Sequence, residues 1–131
     1  MSAIPAKYRD ILEKKTLASL ATILPDGTPQ VTPVWFHFDG SHIEINSARG
    51  RVKDRNMRSR PQVALAVVDP DNLYRYLEIR GEVVEITEKG ADQHIDFLAR
   101  KYLDVEKYPF RGPDEVRVKY RIKPLKCTSM G

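Results

Sequence analysis

The sequence is short of cysteine: it has one, Cys127. That excludes an intramolecular disulfide framework and a multi-cysteine metal centre. It also lacks any apolar run near the ~20 residues that a membrane-spanning helix needs. The first ten residues are polar and interrupted by Pro5, unlike a secretory leader. A cytoplasmic location and no membrane partner are therefore expected. No repeat, linker or low-complexity stretch breaks the chain. A length of 131 residues predicts one domain with one core, since domains run to roughly 100–200 residues. Hydrophobic residues at 41% and charged residues at 31% exclude a disordered chain.

Positive charge is concentrated. Residues 49–60, RGRVKDRNMRSR, hold six basic side chains and one acid, a net +5 against +4 for the whole chain. The remainder is close to neutral. Such clusters meet phosphate, on a small ligand or on nucleic acid.

Apolar spacing predicts helices over residues 5–15, 51–58 and 88–103. Pro5 suits a first helical turn. Strands are predicted over 17–24, 30–38, 42–47, 63–68, 74–87 and 116–122. Residues 63–68 (VALAVV) read as a fully buried strand. Pro25-Asp26-Gly27-Thr28 marks a turn, and Asp39-Gly40-Ser41 closes a hairpin. Pro33 inside the second strand predicts an edge or a bulge. Gly81 predicts a bulge or a barrel corner. Six strands joined mostly by tight turns favour a mainly β fold, a small antiparallel barrel with helices.

The sharpest local pattern is Ile45 to Lys53 (INSARGRVK): a strand end, a Gly-containing turn, then a helix start. The first N–H groups of a helix lack internal partners, and the dipole makes that end positive. A phosphate there would also meet Ser47, Arg51 and Lys53. A solvated basic helix face fits the same residues. The interrupted strand Gln30 to Trp35 leaves backbone groups that could meet a planar heterocycle, or it is a bent edge with core Val and Trp.

Other candidates are weaker. His37 and His42 face each other across a turn, His94 lies on the polar side of its helix, and no metal site is expected. Asp69, Asp71 and Glu78 read as turn and surface residues. No serine sits in a nucleophile elbow. Cys127 reads as incidental, near a frayed end. Tyr74, Arg75 and Tyr76 form either an interface patch or a cross-strand packing pair.

The strings LATILPDGTPQVTPVWFHFDG, INSARGRVKDRNMRSRPQVALAVVDPDN and YRYLEIRGEVVEIT resemble the pyridoxamine 5′-phosphate oxidase-like split-barrel family. Within it they are most similar to the deazaflavin branch that uses coenzyme F-420. The resemblance spans residues 11–122 and implies one split-barrel domain over 1–131, six-stranded and antiparallel, in a homodimer whose cofactor sites lie between subunits. It implies a cofactor phosphate held by Ser47, Arg51 and Lys53, with Val52 beside them. The cofactor ring would lie against Thr32, Pro33 and Val34, with Asn46 assisting. Tyr74 and Tyr76 would close the site from the partner chain. F-420 is the expected cofactor and FMN the alternative. The cofactor would carry the hydride to a small-molecule substrate, which fits the lack of a catalytic triad. Two other readings remain: a flavin carrier, and a nucleic-acid-binding barrel. The strands lack the exposed aromatic stripes that stack bases, so no nucleic-acid partner is expected.

Overall fold

A computed structural model describes residues 3–131. A single 3-10 turn (Ala6–Tyr8) leads into helix α1 (Arg9–Glu13). Strands β1 (Ala18–Ile23), β2 (Pro29–Val34), β3 (Phe36–Phe38) and β4 (Ile43–Ala48) follow, then helix α2 (Val52–Ser59). Strands β5 (Gln62–Val68) and β6 (Tyr76–Thr87), helix α3 (Ala91–Leu103) and strand β7 (Arg117–Met130) complete the chain. The strands form one sheet in the order β2-β1-β5-β6-β7-β4-β3, and its pairings are antiparallel.

Among the described residues there are seven strands, where six were expected. The predicted strand over 30–38 breaks at Trp35. The reason is packing: the Trp35 ring stacks on Tyr102 of α3, with centroids 5.2 Å apart and planes at 3°. One residue thus separates β2 from β3, yet they lie at opposite edges of the sheet. The sheet must curl until its edges meet at Trp35, which makes it a split barrel. Pro33 sits on the edge strand β2, where a residue without an N–H is tolerated.

Inside the curl lie Leu20, Phe36, Ile43, Ile45, Leu65, Leu77, Ile79, Tyr120 and Ile122, each at most 1% exposed. Ile11 and Leu12 of α1 and Met57 of α2 join the same core. Helix α3 plugs the split. The Tyr102 hydroxyl donates to Thr16 O at 2.7 Å and accepts from the Phe36 N–H at 3.3 Å.

Two bulges shape the long β6–β7 pair. Gly81 faces Pro124 while Arg80 faces Lys126, so Leu125 is the extra residue. A Cβ on Gly81 would stand 2.7 Å from Lys123 O, which is why glycine is there. Pro124 is tolerated because it falls at the bulge. Strand β7 therefore runs past its predicted end at 122, and Cys127 lies half-buried opposite Ile79 rather than in a frayed tail.

Other expectations need correction. Residues 63–68 are not fully buried: Val63, Leu65 and Val67 face the core, while Ala66 and Val68 face out. His37 pairs with Glu44, not His42. Asp69 is no surface residue. It is 3% exposed and accepts from Lys14 Nζ (2.9 Å), Arg75 (3.0 Å) and the Asp71 N–H (2.9 Å). The Lys14 ammonium, first of these, holds its carboxyl down at about 2. Among the described residues no helix is long and apolar enough to cross a membrane.

Candidate cofactor site

A groove of about 200 Å³ opens at the split. Pro33 and Val34 enter it from the end of β2, Trp35 from the break, and Asn46 and Ser47 from the end of β4. Arg51 and Lys53 come from the start of α2. Six of the ten expected residues thus meet in one place: Pro33, Val34, Asn46, Ser47, Arg51 and Lys53. Thr32, in the β2–β1 ladder opposite Leu20, and Val52 on α2 do not line it. Tyr74 and Tyr76 are 82% and 36% exposed and lie at the β5–β6 turn, outside the groove of their own chain.

Local chemistry builds the anion-binding end. Gly50 turns the chain at φ +90°, where glycine carries no steric penalty. Asp54, 2% exposed, accepts from the Gly50 N–H at 2.9 Å, from Arg58 Nε at 3.0 Å and from the Tyr120 hydroxyl. The carboxylate thereby staples turn, helix and barrel wall together. No side-chain cap bond is made at Arg51, the N-cap of α2, so the helix start offers N–H groups without a side-chain acceptor. Ser47 Oγ is buried and has no hydrogen-bond partner among the described residues. A buried orphan hydroxyl points to an absent ligand or water.

Charge is unbalanced here. Glu115 pairs with both Arg51 and Arg117, at 3.2 Å each. Lys53 has no ion-pair partner among the described residues, and burial, then Arg51 and Arg117, push its ammonium pKa down. Three cations against one carboxylate favour a bound anion.

Sequence reasoning missed Ile95, Tyr108, Phe110 and Arg117, which also line the groove. The Arg117 guanidinium lies 5.0 Å from the Tyr108 ring centroid, and Tyr108 stands edge-on to Trp35. Two aromatics in a polar loop (Tyr108-Pro109-Phe110) were the available signal. Asn46 is not free to meet a ligand. Its Oδ1 accepts from Arg117 Nε at 2.8 Å, and its Nδ2 donates to Ala91 O at 2.9 Å and to His94 Nδ1 at 3.1 Å.

His94 is buried at 7% exposure, not on a polar face. Burial first, then the charges of Lys119, His37 and Arg117, hold its pKa down at about 4. Glu44, 3.9 Å from Nε2, is neutralised by Lys119 at 3.1 Å. The fold therefore prefers the neutral ring, and the unfolded chain takes up the proton first. This contribution to stability is whole above pH ~6.5 and is lost as pH falls toward 4, by about 3 kcal/mol in all. Chemical denaturation across that range should show the loss in the wild type and a smaller one in His94→Asn.

Residues 4–127 match the family model described as pyridoxamine 5′-phosphate oxidase. The structure is similar to one named F420 reductase, at 35% identity and TM-score 0.85, covering 95% of this chain and 98% of that one. It is similar to the conserved hypothetical protein Rv2991 from Mycobacterium tuberculosis, at 25% identity and TM-score 0.77, covering 97% and 84%. It shares the fold of HupZ from Group A Streptococcus, at 19% identity and TM-score 0.69, covering 96% and 93%. A family match over nearly the whole chain, on a curled antiparallel sheet with a cationic groove at its split, makes this protein a member of the pyridoxamine 5′-phosphate oxidase family of split-barrel proteins.

Proposed function

We propose that this protein is a homodimeric oxidoreductase that binds coenzyme F-420 in the groove, with FMN as the alternative cofactor, and reduces a small organic substrate. The observation that carries the reading is the buried, unpartnered Ser47 Oγ beside Arg51, Lys53 and Arg117 at an uncapped helix start. Ser47 donates to a phosphate oxygen, Arg51 offers a planar fork and Lys53 a compact charge. Pro33, Val34 and Trp35 provide an apolar wall for a ring, with Ile95 and Phe110 also lining the groove. When bound in its reduced form the cofactor would supply a hydride to an electron-poor carbon or an enone-like or imine-like bond and be left oxidised. The 35% identity to a protein named F420 reductase favours F-420 over FMN. Arg49, in an exposed ion pair with Glu88, and Arg55, donating to Gly50 O at 2.7 Å, flank the phosphate turn and add positive charge that suits a longer acidic tail. Arg58 does not, being bound to Asp54. The absorption spectrum and mass of the small molecule that copurifies test the cofactor. A deazaflavin or flavin supports the reading, and purified protein that binds neither when both are supplied refutes it.

A second chain completes the site in this reading. The outer face of β1, β2, β5 and β7 leaves Val31, Val68 and Leu125 at 65%, 38% and 54% exposure. Ala21, Ile23, Ala64 and Leu125 line an apolar groove of about 360 Å³ on it. Tyr74 and Tyr76 close the cofactor groove of the partner. Light scattering should give about twice the 15.0 kDa chain mass. A strictly monomeric species that still binds cofactor tightly would sink the two-chain site.

A further inference from the structure

We propose that His94 is a positioning residue of the groove: its Nδ1, acting through the Asn46 amide, fixes the Arg117 guanidinium beside Ser47 and Lys53. The purpose assigned to it rests on the cofactor reading above, whereas the positioning itself does not. The orientation of the amide is forced by partners that can act in one sense each. Arg117 Nε can only donate, so the atom it meets at 2.8 Å is the Asn46 oxygen. Ala91 O can only accept, so the atom 2.9 Å from it is the Asn46 nitrogen. The second hydrogen of that nitrogen goes to His94 Nδ1 at 3.1 Å. His94 Nδ1 must therefore accept, and the ring carries its hydrogen on Nε2.

A chain of single-sense bonds thus runs from the interior of α3 to a side chain that lines the groove. Arg117 is 3% exposed in its side chain and cannot be reoriented by solvent. Removing the His94 acceptor leaves an Asn46 N–H unpaired in a half-buried site and frees the amide to turn. Turning it places an NH₂ against Arg117 Nε–H. The charged and titratable groups around His94 are Glu44 on β4, His37 on β3, and Lys119 and Arg117 on β7. None of them accepts from Asn46 Nδ2.

Nitrogen-15 NMR of the free protein at neutral pH should show His94 as the Nε2–H tautomer, with an ordered, slowly exchanging Arg117 Nε–H. His94→Leu should lose the Arg117 signal and weaken F-420 binding about tenfold or more. His94→Asn, whose Oδ1 stands near the lost Nδ1, should recover both. An Arg117 resonance and F-420 affinity unchanged in His94→Leu would overturn the proposal. So would equal loss in His94→Leu and His94→Asn. Should the leucine variant fail to fold, the wild-type tautomer decides, and an Nδ1–H or doubly protonated ring overturns it. If the wild type binds neither F-420 nor FMN while the Arg117 signal still depends on His94, the cofactor reading falls and the positioning role stands.

Discussion

Replacing Arg51 and Lys53 together with alanine should weaken F-420 binding at least about a hundredfold, at roughly 1.5–3 kcal/mol per charge-assisted bond. Both side chains stand at the groove, at the uncapped start of α2. Neither carries the core. Arg51 is surface-exposed with a single ion pair to Glu115, and Lys53 is held at a cost, its ammonium disfavoured by burial and by Arg51 and Arg117. The melting temperature of the double variant should therefore stay close to that of the wild type, or rise. An anion in the groove would relieve the repulsion that Lys53 feels. Titrations of F-420 and FMN into the variant check this. Unchanged affinity for both would remove the phosphate from this end of the groove.

Asp54→Ala should destabilise the fold by about 3–5 kcal/mol, because deleting one partner of a buried charged network leaves the others unpaired. The Tyr120 hydroxyl, on a side chain with 0% exposure, would lose its acceptor. The Gly50 N–H and Arg58 Nε would lose theirs as well. Tyr120→Phe should cost about 1–2 kcal/mol, since Asp54 keeps its other two donors. Asp54→Asn should fall between them, keeping one oxygen for Gly50 or Tyr120. Thermal melts of the three variants give the order. For a domain this size the alanine variant should melt roughly 10–20 °C lower. A melt within a degree or two of the wild type would mean that the carboxylate does not hold the turn. The same staple positions Arg51 one residue from Gly50, so the alanine variant should also bind cofactor more weakly.

What could be read from the sequence was local. The INSARGRVK pattern carries its own geometry: an alternating strand, a glycine at positive φ and a helix start lie within nine residues. Ser47, Arg51 and Lys53 were legible there for that reason. The hairpin at Asp39-Gly40 and the bulge at Gly81 were legible because turn chemistry and missing Cβ atoms act at one position. The break at Trp35 was not: Pro33 signals an edge or a bulge in QVTPVWFHF, but nothing local places a break two residues later, and only the distant Tyr102 ring explains the turn. The extension of β7 was hidden by Pro124, which reads as a terminator unless Gly81 is known to bulge opposite it. Arg117 and Tyr108 reach the groove through long-range packing that no spacing encodes. His94 is different. It stands three residues after Ala91 and four before Leu98, on the buried stripe of α3, and its polarity hid a position that the spacing already gave.

On the proposed function, the cationic groove at the split holds a phosphate-bearing deazaflavin or flavin rather than a nucleic-acid backbone. An equilibrium titration of F-420, FMN and duplex DNA into the purified protein, repeated from low to physiological salt, decides between the two. Several neutralised phosphates make duplex affinity fall by orders of magnitude over that range. A cofactor ring against Pro33, Val34 and Trp35 keeps a share of its binding that salt does not touch. The expected result is saturable F-420 or FMN binding with moderate salt dependence, lost when Pro33 or Val34 is replaced by a bulky charged residue, and only weak, non-specific DNA binding at physiological salt. Tight, sequence-selective DNA binding that survives physiological salt, with no saturable binding of either cofactor, would contradict it.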